Sequence, residues 1–387
     1  MIMFQSLVKF IRDQYGTDDF ISLHAPIFQG NERQYVLDAI DSTFVSSVGS
    51  YVDRFEHEVA AYTGSPAAVV TVNGTSALHM ALLLAGVGKE DYVITQPLTF
   101  VATCNAISYC GAEPIFIDVD CKNLGLSPVA LSEWLDEHAF IDDVGCCRYK
   151  QNLRTIKACV PMHTFGHPAD LNGLLEVCSR WHLTLIEDAA ESLGSLYHGQ
   201  HTGTFGKIGI LSFNGNKIMT TGGGGMILTD IALAKKAKHL TTTAKIPHSY
   251  EFVHDEIGFN YRMPNLNAAM GCAQLEQLEF FVKTKRRLAA DYEQFFKSSS
   301  MQFVKEPENC RSNYWLNAVI CEDKRQRDAL LTFCNDSNVM MRPIWQLMNG
   351  LSMFRDVPTG SLPNAQWLSE RIVNLPSTVI GDGDKNA

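Results

Sequence analysis

Residues 208–217 read IGILSFNGNK, an apolar run that changes after Phe213 into a polar loop ending in Lys217. The run has the continuous apolar character of a β-strand buried on both faces. Six further runs of this kind alternate with helix-like stretches. The predicted strands are 67–72, 92–95, 115–119, 157–162, 183–187, 208–213 and 226–229. Buried strands separated by helices predict an α/β fold with a doubly wound, mainly parallel sheet.

The pattern changes after residue 231. Apolar residues at helical spacing predict one long helix over 265–298, with Pro264 just before its start. A strand-like run at 315–321 and a helix-like run at 324–334 predict a small α+β C-terminal domain. We therefore predict a large α/β domain with an N-terminal segment over 1–255. The linking helix and the small domain follow over 256–387, with a frayed tail from residue 381.

Composition limits the possible functions. The chain has 387 residues and a formal net charge of -10, which argues against a general nucleic-acid binder. Local amides and a few arginines can still hold a phosphorylated ligand. Eleven cysteines show no metal-ligand spacing, so no metal site is predicted. No apolar run approaches the roughly 20 residues of a membrane span. We expect a cytoplasmic protein with reduced thiols.

Several polar or aromatic residues directly follow predicted strands, where the ligand crevice of an open α/β sheet lies. Gly74, Thr75 and Ser76 open a helix after the first strand, and they form either a phosphate cradle or a simple helix cap. Phe100 follows the second strand and either covers a flat ring or packs in the core. His163 follows 157–162, where a buried, hydrogen-bonded core histidine is the ordinary interpretation.

Two charged residues are more informative. Asp188 follows the very apolar strand 183–187 and is either a buried carboxylate with a cationic partner or the cap of a helix beginning at Ala189. Lys217 precedes a run of four glycines, and a lysine desolvated beside buried strands becomes nucleophilic toward carbonyls. An amine, a carboxylate, a phosphate cradle and a flat aromatic ring are together what a pyridoxal 5'-phosphate (PLP) site requires.

The sequence resembles the DegT/DnrJ/StrS sugar-nucleotide aminotransferases, a family of fold-type I PLP enzymes, from about Ile21 to Pro376. Five motifs carry the resemblance: FVSSVG at 44–49, NGTSAL at 73–78, EDAAE at 187–191, SFNGNK at 212–217 and GFNYRM at 258–263. The resemblance implies an α/β fold of the type I PLP enzymes, with a mainly parallel mixed sheet and a small α+β domain.

It also implies a role for each matching residue. Lys217 matches the Schiff-base lysine and Asp188 the partner of the pyridine nitrogen. Phe100 matches the stacking aromatic ring. Glu191 stands where the family usually has Gln or His near the phenolic oxygen of the cofactor. The implied cofactor-binding set is Gly74, Thr75, Ser76, Phe100, Asp188, Glu191, Ser212, Lys217 and Asn260.

Asn260 lies in a loop that reaches the neighbouring subunit's cofactor phosphate in family dimers, so the resemblance implies a homodimer with composite sites. Family position also implies that His163, Arg262 and Trp345 contact the substrate. The SFNGNK motif, the four glycines and residues 241–245 look most like one branch of the family. That branch transfers an amino group from L-glutamate to C4 of UDP-linked N-acetylated 4-keto-6-deoxyhexoses, for bacterial surface glycans.

Alternatives remain open at this point. A PLP sugar dehydratase of the same fold would carry His at the position of Lys217, which speaks against it. An aromatising synthase keeps the lysine and is excluded only weakly. Transamination at C3 of another nucleotide sugar is also possible. A non-catalytic PLP-fold domain of a transcriptional regulator would need a DNA-binding module, and the first 40 residues are too short and not basic enough.

Overall fold

The computed structural model describes residues 2–381, so the predicted frayed residues 382–387 lie outside the described part. The helices are α1 Ile2–Tyr15, α2 Glu32–Asp41, α3 Ser50–Thr63, α4 Gly74–Leu84, α5 Val101–Tyr109, α6 Pro128–His138, α7 Leu171–Arg180, α8 Ile231–Thr241, α9 Asn265–Glu276, α10 Leu278–Phe296, α11 Lys324–Asp336 and α12 Pro363–Ser369. No helix within the described residues is both long and apolar enough to cross a membrane.

The strands are β1 Ala67–Thr71, β2 Tyr92–Thr95, β3 Glu113–Phe116, β4 Ala139–Ile141, β5 Cys147–Tyr149, β6 Ile156–Val160, β7 Thr184–Asp188, β8 Leu196–Tyr197, β9 Gln200–His201, β10 Ile208–Ser212, β11 Gly225–Thr229, β12 Lys245–Ile246, β13 Val253–His254, β14 Gln302–Phe303, β15 Cys310–Arg311, β16 Asn317–Ile320, β17 Arg342–Pro343 and β18 Ile372–Leu375. The seven strands predicted before residue 230 correspond to β1, β2, β3, β6, β7, β10 and β11.

These seven strands form one sheet in the order β1-β11-β10-β7-β6-β2-β3. Only β11 runs opposite to its neighbours, and the other adjacent pairs are parallel. Helices cover both faces, so the central strands are buried almost throughout. The predicted α/β class with a mainly parallel mixed sheet is confirmed. Parallel strands point their carboxyl ends to one edge, and the polar residues that follow them meet there.

The long helix predicted over 265–298 is two helices, α9 and α10, which meet at Gln277. The backbone of Gln277 has φ -96° and ψ -8°, and its amide bonds to the carbonyl of Gln274 in a tightened turn. The bend lets α9 pack against α2 and α3, while α10 joins the C-terminal core. Apolar spacing resumes after the break, which is why the sequence pattern reads as one helix.

The small domain consists of an antiparallel sheet in the order β14-β16-β18-β17 with α10 and α11. Helix α1 packs into this domain, since Leu7 and Ile11 share a core with Leu288, Tyr292 and Leu330. The predicted boundary placed the N-terminal segment with the large sheet in 1–255. That assignment needs correction for α1, because its apolar face is buried against the C-terminal helices.

Candidate active site

A cavity of about 370 Å³ opens at the carboxyl edge of the large sheet. Its floor comes from the ends of β7 and β10, and its walls come from the starts of α4 and α5 and from two C-terminal segments. Eight of the predicted site residues line it: Gly74, Thr75, Phe100, Asp188, Glu191, Ser212, Lys217 and Trp345. The other four, Ser76, His163, Asn260 and Arg262, lie outside its lining.

Lys217 projects into this cavity from the loop after β10. Its amide donates to the carbonyl of Asn214 at 3.0 Å, which turns the loop back over the strand. Its Nζ lies 3.4 Å from Oε1 of Glu191 and 4.1 Å from the centroid of the Trp315 ring. The side chain is only 12% exposed. The amine is therefore held inside the cavity and not solvated at the surface.

Asp188 closes β7 at the cavity floor and is buried. The hydroxyl of Thr103, in the first turn of α5, donates to its Oδ2 at 2.7 Å, and the amide of Ala190 donates to Oδ1 at 3.2 Å. Burial raises the pKa of Asp188, while these two donors and the charge of Lys217 oppose the rise. Turns follow Asp188 as far as β8. The helix-cap alternative is therefore wrong.

Glu187, the residue before Asp188, points to the opposite face of the strand and was not predicted as a site residue. Its carboxylate is within 3.1 Å of Nε2 of His163 and accepts amide hydrogen bonds of 2.7 Å from Gly203, Phe205 and Gly206. Burial favours a higher pKa for Glu187, but His163 and the amides outweigh it and hold the pKa below its usual value. This network fixes the end of β7 and therefore the position of Asp188, the next residue.

His163 belongs to that network. It is fully buried, and its Nδ1 accepts the amide of Ala169 at 3.1 Å, so Nε2 carries the hydrogen donated to Glu187. Both ring nitrogens are thus engaged within the chain, and the structure does not support the predicted substrate contact. The sequence showed that both residues follow buried strands, but the pairing itself depends on β6 and β7 being adjacent and parallel in the sheet.

The predicted phosphate cradle lies at the start of α4. The side chain of Asn73 caps the helix by accepting the amide of Ser76 at 2.7 Å, so Ser76 is held behind the cavity wall. Gly74 and Thr75 line the cavity, and amides in the first turn of a helix have no intrahelical acceptor. A Cβ added to Gly74 would lie 2.9 Å from Cβ of Ser212. Glycine therefore lets the start of α4 approach the Ser212 hydroxyl. The Asn73 cap does not exclude the predicted phosphate cradle, because Gly74 and Thr75 still line the cavity.

Aromatic side chains form the outer wall. Phe100 is 50% exposed at the start of α5, which excludes the core alternative, and its ring lies 6.3 Å from that of Trp345. Trp345 also lies 5.4 Å from the ring of Phe165. Trp315 was not predicted to be part of the site. Its indole Nε1 donates to the carbonyl of Asn216 at 2.6 Å, so it fixes the loop that carries Lys217.

The glycine run after Lys217 lets separate parts of the backbone approach each other closely. A Cβ on Gly225 would lie 2.5 Å from the carbonyl oxygen of Asn73, and one on Gly224 would lie 2.5 Å from Cε of Met263. The glycines therefore bring β11 against the loop that opens α4, and they shape the site without lining it.

Asn260 and Arg262 are exposed, and they contact each other through a hydrogen bond of 2.9 Å from Nε of Arg262 to Oδ1 of Asn260. Neither residue lines the cavity of its own chain. This placement leaves both side chains facing outward. Their predicted role in a neighbouring subunit's site stays a prediction.

The residues of the cavity fit PLP. Lys217 supplies an amine for the aldehyde, Asp188 supplies a carboxylate for the pyridine nitrogen, and the start of α4 with the Ser212 hydroxyl suits a phosphate. The close approach of Gly74 to Ser212 leaves backbone amides and a hydroxyl on one concave surface. Fold and site together define a PLP-dependent aminotransferase.

The chain belongs to the DegT/DnrJ/EryC1/StrS aminotransferase family, which it matches over residues 26–384. A GDP-perosamine synthase of Escherichia coli O157:H7 is 36% identical over 359 residues, which cover 92% of this chain and 93% of that protein. A GDP-perosamine synthase of Vibrio cholerae is 36% identical over 364 residues, covering 92% and 94%. The protein is a PLP-dependent sugar-nucleotide aminotransferase, and the regulator alternative does not apply.

Solved structures agree with the fold. The aminotransferase TlmJ from Streptoalloteichus hindustanus superposes with a TM-score of 0.84 at 28% identity, over 94% of this chain and 95% of that one. A DegT DnrJ EryC1 StrS aminotransferase from Brucella abortus gives a TM-score of 0.82 at 25% identity, over 92% of each chain. The relatives named above act in GDP-sugar chemistry by name, whereas the motifs predicted a UDP-linked substrate. The comparisons therefore support a nucleotide-sugar aminotransferase without fixing the nucleotide.

Proposed function

We propose that this enzyme moves the amino group of L-glutamate to the C4 ketone of a UDP-linked 2-acetamido-2,6-dideoxy-4-hexulose, in the synthesis of a bacterial surface glycan. The observation that carries amino transfer is the cavity itself, with the Lys217 amine between a buried carboxylate and an open aromatic wall. The UDP assignment is supported by the SFNGNK motif, the four glycines and residues 241–245.

The chemistry divides among the side chains. When bound, PLP supplies an electron sink for the bond changes at the amino-bearing carbon. The carboxylate of Asp188 holds a proton on the pyridine nitrogen, because a negative charge in a buried site stabilises a positive partner. Nζ of Lys217 accepts the proton that leaves the amino-bearing carbon and later returns a proton during amino transfer. Amides at the start of α4 and the Ser212 hydroxyl orient the phosphate, while Phe100 and Trp345 bound the side where a sugar enters.

Amino-acceptor assays test the proposal. Purified enzyme with L-glutamate should form 2-oxoglutarate when given a UDP-linked 4-keto-6-deoxy-N-acetylhexose, and the matched GDP- and dTDP-linked 4-keto-6-deoxy sugars should give lower kcat/KM. A higher kcat/KM for a GDP sugar would transfer the assignment to the nucleotide named in the relatives above. Absence of 2-oxoglutarate with every keto sugar would contradict amino transfer and favour the dehydratase or aromatising alternatives.

The position of the new amine tests the second part of the assignment. Nuclear magnetic resonance of the isolated product should show the amine at C4. An amine at C3 would support the alternative of transamination at C3 of another nucleotide sugar. The Lys217→Ala variant is the control, because any 2-oxoglutarate it forms arises outside this site.

We further propose a homodimer with composite sites. Large apolar side chains are exposed in two segments, among them Phe44 and Val48 before α3 and Phe252 between β12 and β13. Exposed aromatic and aliphatic residues on neighbouring segments favour a second protein surface. Asn260 and Arg262 follow the second segment and face outward. A second copy of this chain would bury the apolar side chains and bring Asn260 to the other cavity.

A further inference from the structure

Glu191 presents a carboxylate to the reacting amine. Its Oε2 accepts the amide of Phe165 at 2.9 Å, and its Oε1 lies 3.4 Å from Nζ of Lys217. Phe165 is buried with φ 58°, a left-handed backbone conformation, so the amide that anchors the carboxylate belongs to a constrained turn. The backbone carbonyl of Glu191 is fixed by the side-chain amide of Asn313 at 2.9 Å. One carboxylate oxygen is thus held in place, and the other faces the lysine.

Both members of this pair are largely buried. The Glu191 side chain is 1% exposed, and the ring of Trp315 covers the other side of the amine. A buried ion pair loses the solvation of both charges, and its mutual attraction is reduced when the atoms are further apart than an ideal charge-assisted hydrogen bond. At 3.4 Å the charged and the neutral forms of the pair are therefore closer in free energy than they would be in water.

Other charged and titratable groups act on the same pair. Burial raises the pKa of Glu191 to about 7, the nearby charge of Asp188 adds to the rise, and Lys217 with the Phe165 amide opposes it. The positive charges of Lys285 in α10 and of Lys217 lower the pKa of His24, which lies in the N-terminal segment. Burial lowers the pKa of His24 and of Lys285 well below their ordinary values, which disfavours positive charge on either.

We propose that Glu191 is a catalytic residue that takes a proton from the Lys217 ammonium and so produces the neutral amine that attacks the cofactor aldehyde. The N–H bond of the ammonium breaks, an O–H bond forms on Oε1, and the pair passes from two opposite charges to none. With PLP bound, the freed lone pair of Nζ would add to the aldehyde carbon. The C=O bond would break, and its oxygen would leave as water with the two hydrogens that remain on Nζ, so that a C=N bond joins the lysine to the cofactor. This role rests on the proposed function, in which Lys217 is the attachment point.

The test measures covalent attachment, which requires neither glutamate nor a sugar. Full-length protein prepared without cofactor is mixed with PLP, and the rate of attachment is followed by absorbance across a series of pH values. In the wild type the rate should rise through an inflection near the pKa of about 7 of Glu191. Glu191→Gln keeps the shape without a proton acceptor. It should lose this inflection and attach on the order of 100-fold more slowly at neutral pH.

Two further variants sharpen the result. Glu191→Asp retains a carboxylate and should recover an inflection, although its shorter side chain lowers the rate. Glu56→Gln removes a carboxylate that is paired with Lys238 at 2.6 Å and does not line the cavity, and it should match the wild type. Circular dichroism of each variant establishes that it is folded. If Glu191→Gln does not fold, Glu191→Asp decides, because a profile without the inflection contradicts the proposal.

The proposal is overturned if Glu191→Gln attaches PLP at the wild-type rate with the wild-type pH profile. Failure of the proposed function gives a different signature. If Lys217→Ala still attaches PLP, the attachment point itself is wrong. If attachment is normal but no keto sugar is aminated, the substrate assignment fails and the role of Glu191 stands.

Discussion

The cavity floor and the outer loop at 242–262 differ in what they bury and what they expose. On the floor, Asp188, Glu191 and Lys217 have their polar atoms matched by donors and acceptors of the same chain. In the loop, Tyr250 and Phe252 are each 83% exposed and Ile257 is 88% exposed. A buried charge is stable only where the fold supplies hydrogen-bonding or charged partners. An exposed apolar side chain lowers the free energy only when another surface covers it. The floor is therefore complete in one chain, and the loop is the part that a second chain can complete.

The largest effect should come from the floor. Lys217→Ala should abolish covalent PLP attachment and amino transfer, because it removes both the attachment atom and the proton carrier. Borohydride reduction followed by peptide mapping should mark Lys217 in the wild type. The matched control is Lys207→Ala, an exposed lysine just before β10, which should behave as the wild type. A phosphopyridoxyl mark on any other lysine would show that the floor was misassigned.

Asp188→Asn should retain PLP but lower the rate of the glutamate half-reaction by about 100-fold, the usual effect of removing a preorganised electrostatic partner. The amide keeps the shape of the side chain and removes the charge that holds the pyridine proton. Single-turnover absorbance measurements give the rate, and Thr103→Val provides a graded control because it removes only the 2.7 Å hydrogen bond to Oδ2. A near wild-type rate in Asp188→Asn would reduce this carboxylate to a structural role.

Asn260→Ala should have the smallest effect on the chemical step, since in the proposed dimer the loop would contribute only an amide to the cofactor phosphate. We expect weaker PLP retention, measured by equilibrium dialysis, with a folded protein of normal size. Mixing this variant with Lys217→Ala should raise activity above that of either variant alone. One site of each mixed dimer then contains an intact Lys217 and an intact Asn260 from different chains. Confirmed mixed dimers without such recovery would place Asn260 outside the composite site.

Much of the cavity floor could be predicted, because Asp188 and Lys217 each lie at or after the end of a strand that the sequence pattern reveals. All seven predicted strands enter the large sheet, with ends displaced by a few residues, and a parallel sheet brings Asp188 and Lys217 to one edge. The partners of these residues were harder to predict. Apolar periodicity reports that a residue is buried and not what it touches, so Trp315 and the His163–Glu187 pair were missed. The bend at Gln277 leaves almost no trace in that periodicity.

The packing of α1 has a consequence for how the chain is made. Leu7 and Ile11 lie in the core of the C-terminal domain, although α1 leaves the ribosome before every strand of the large sheet. Translation proceeds at about 5–20 residues per second, so this apolar face stays without its partner helices for on the order of tens of seconds. Helix α1 is thus synthesised before the strands of the large sheet, and its apolar face can pack only after the C-terminal helices have been made.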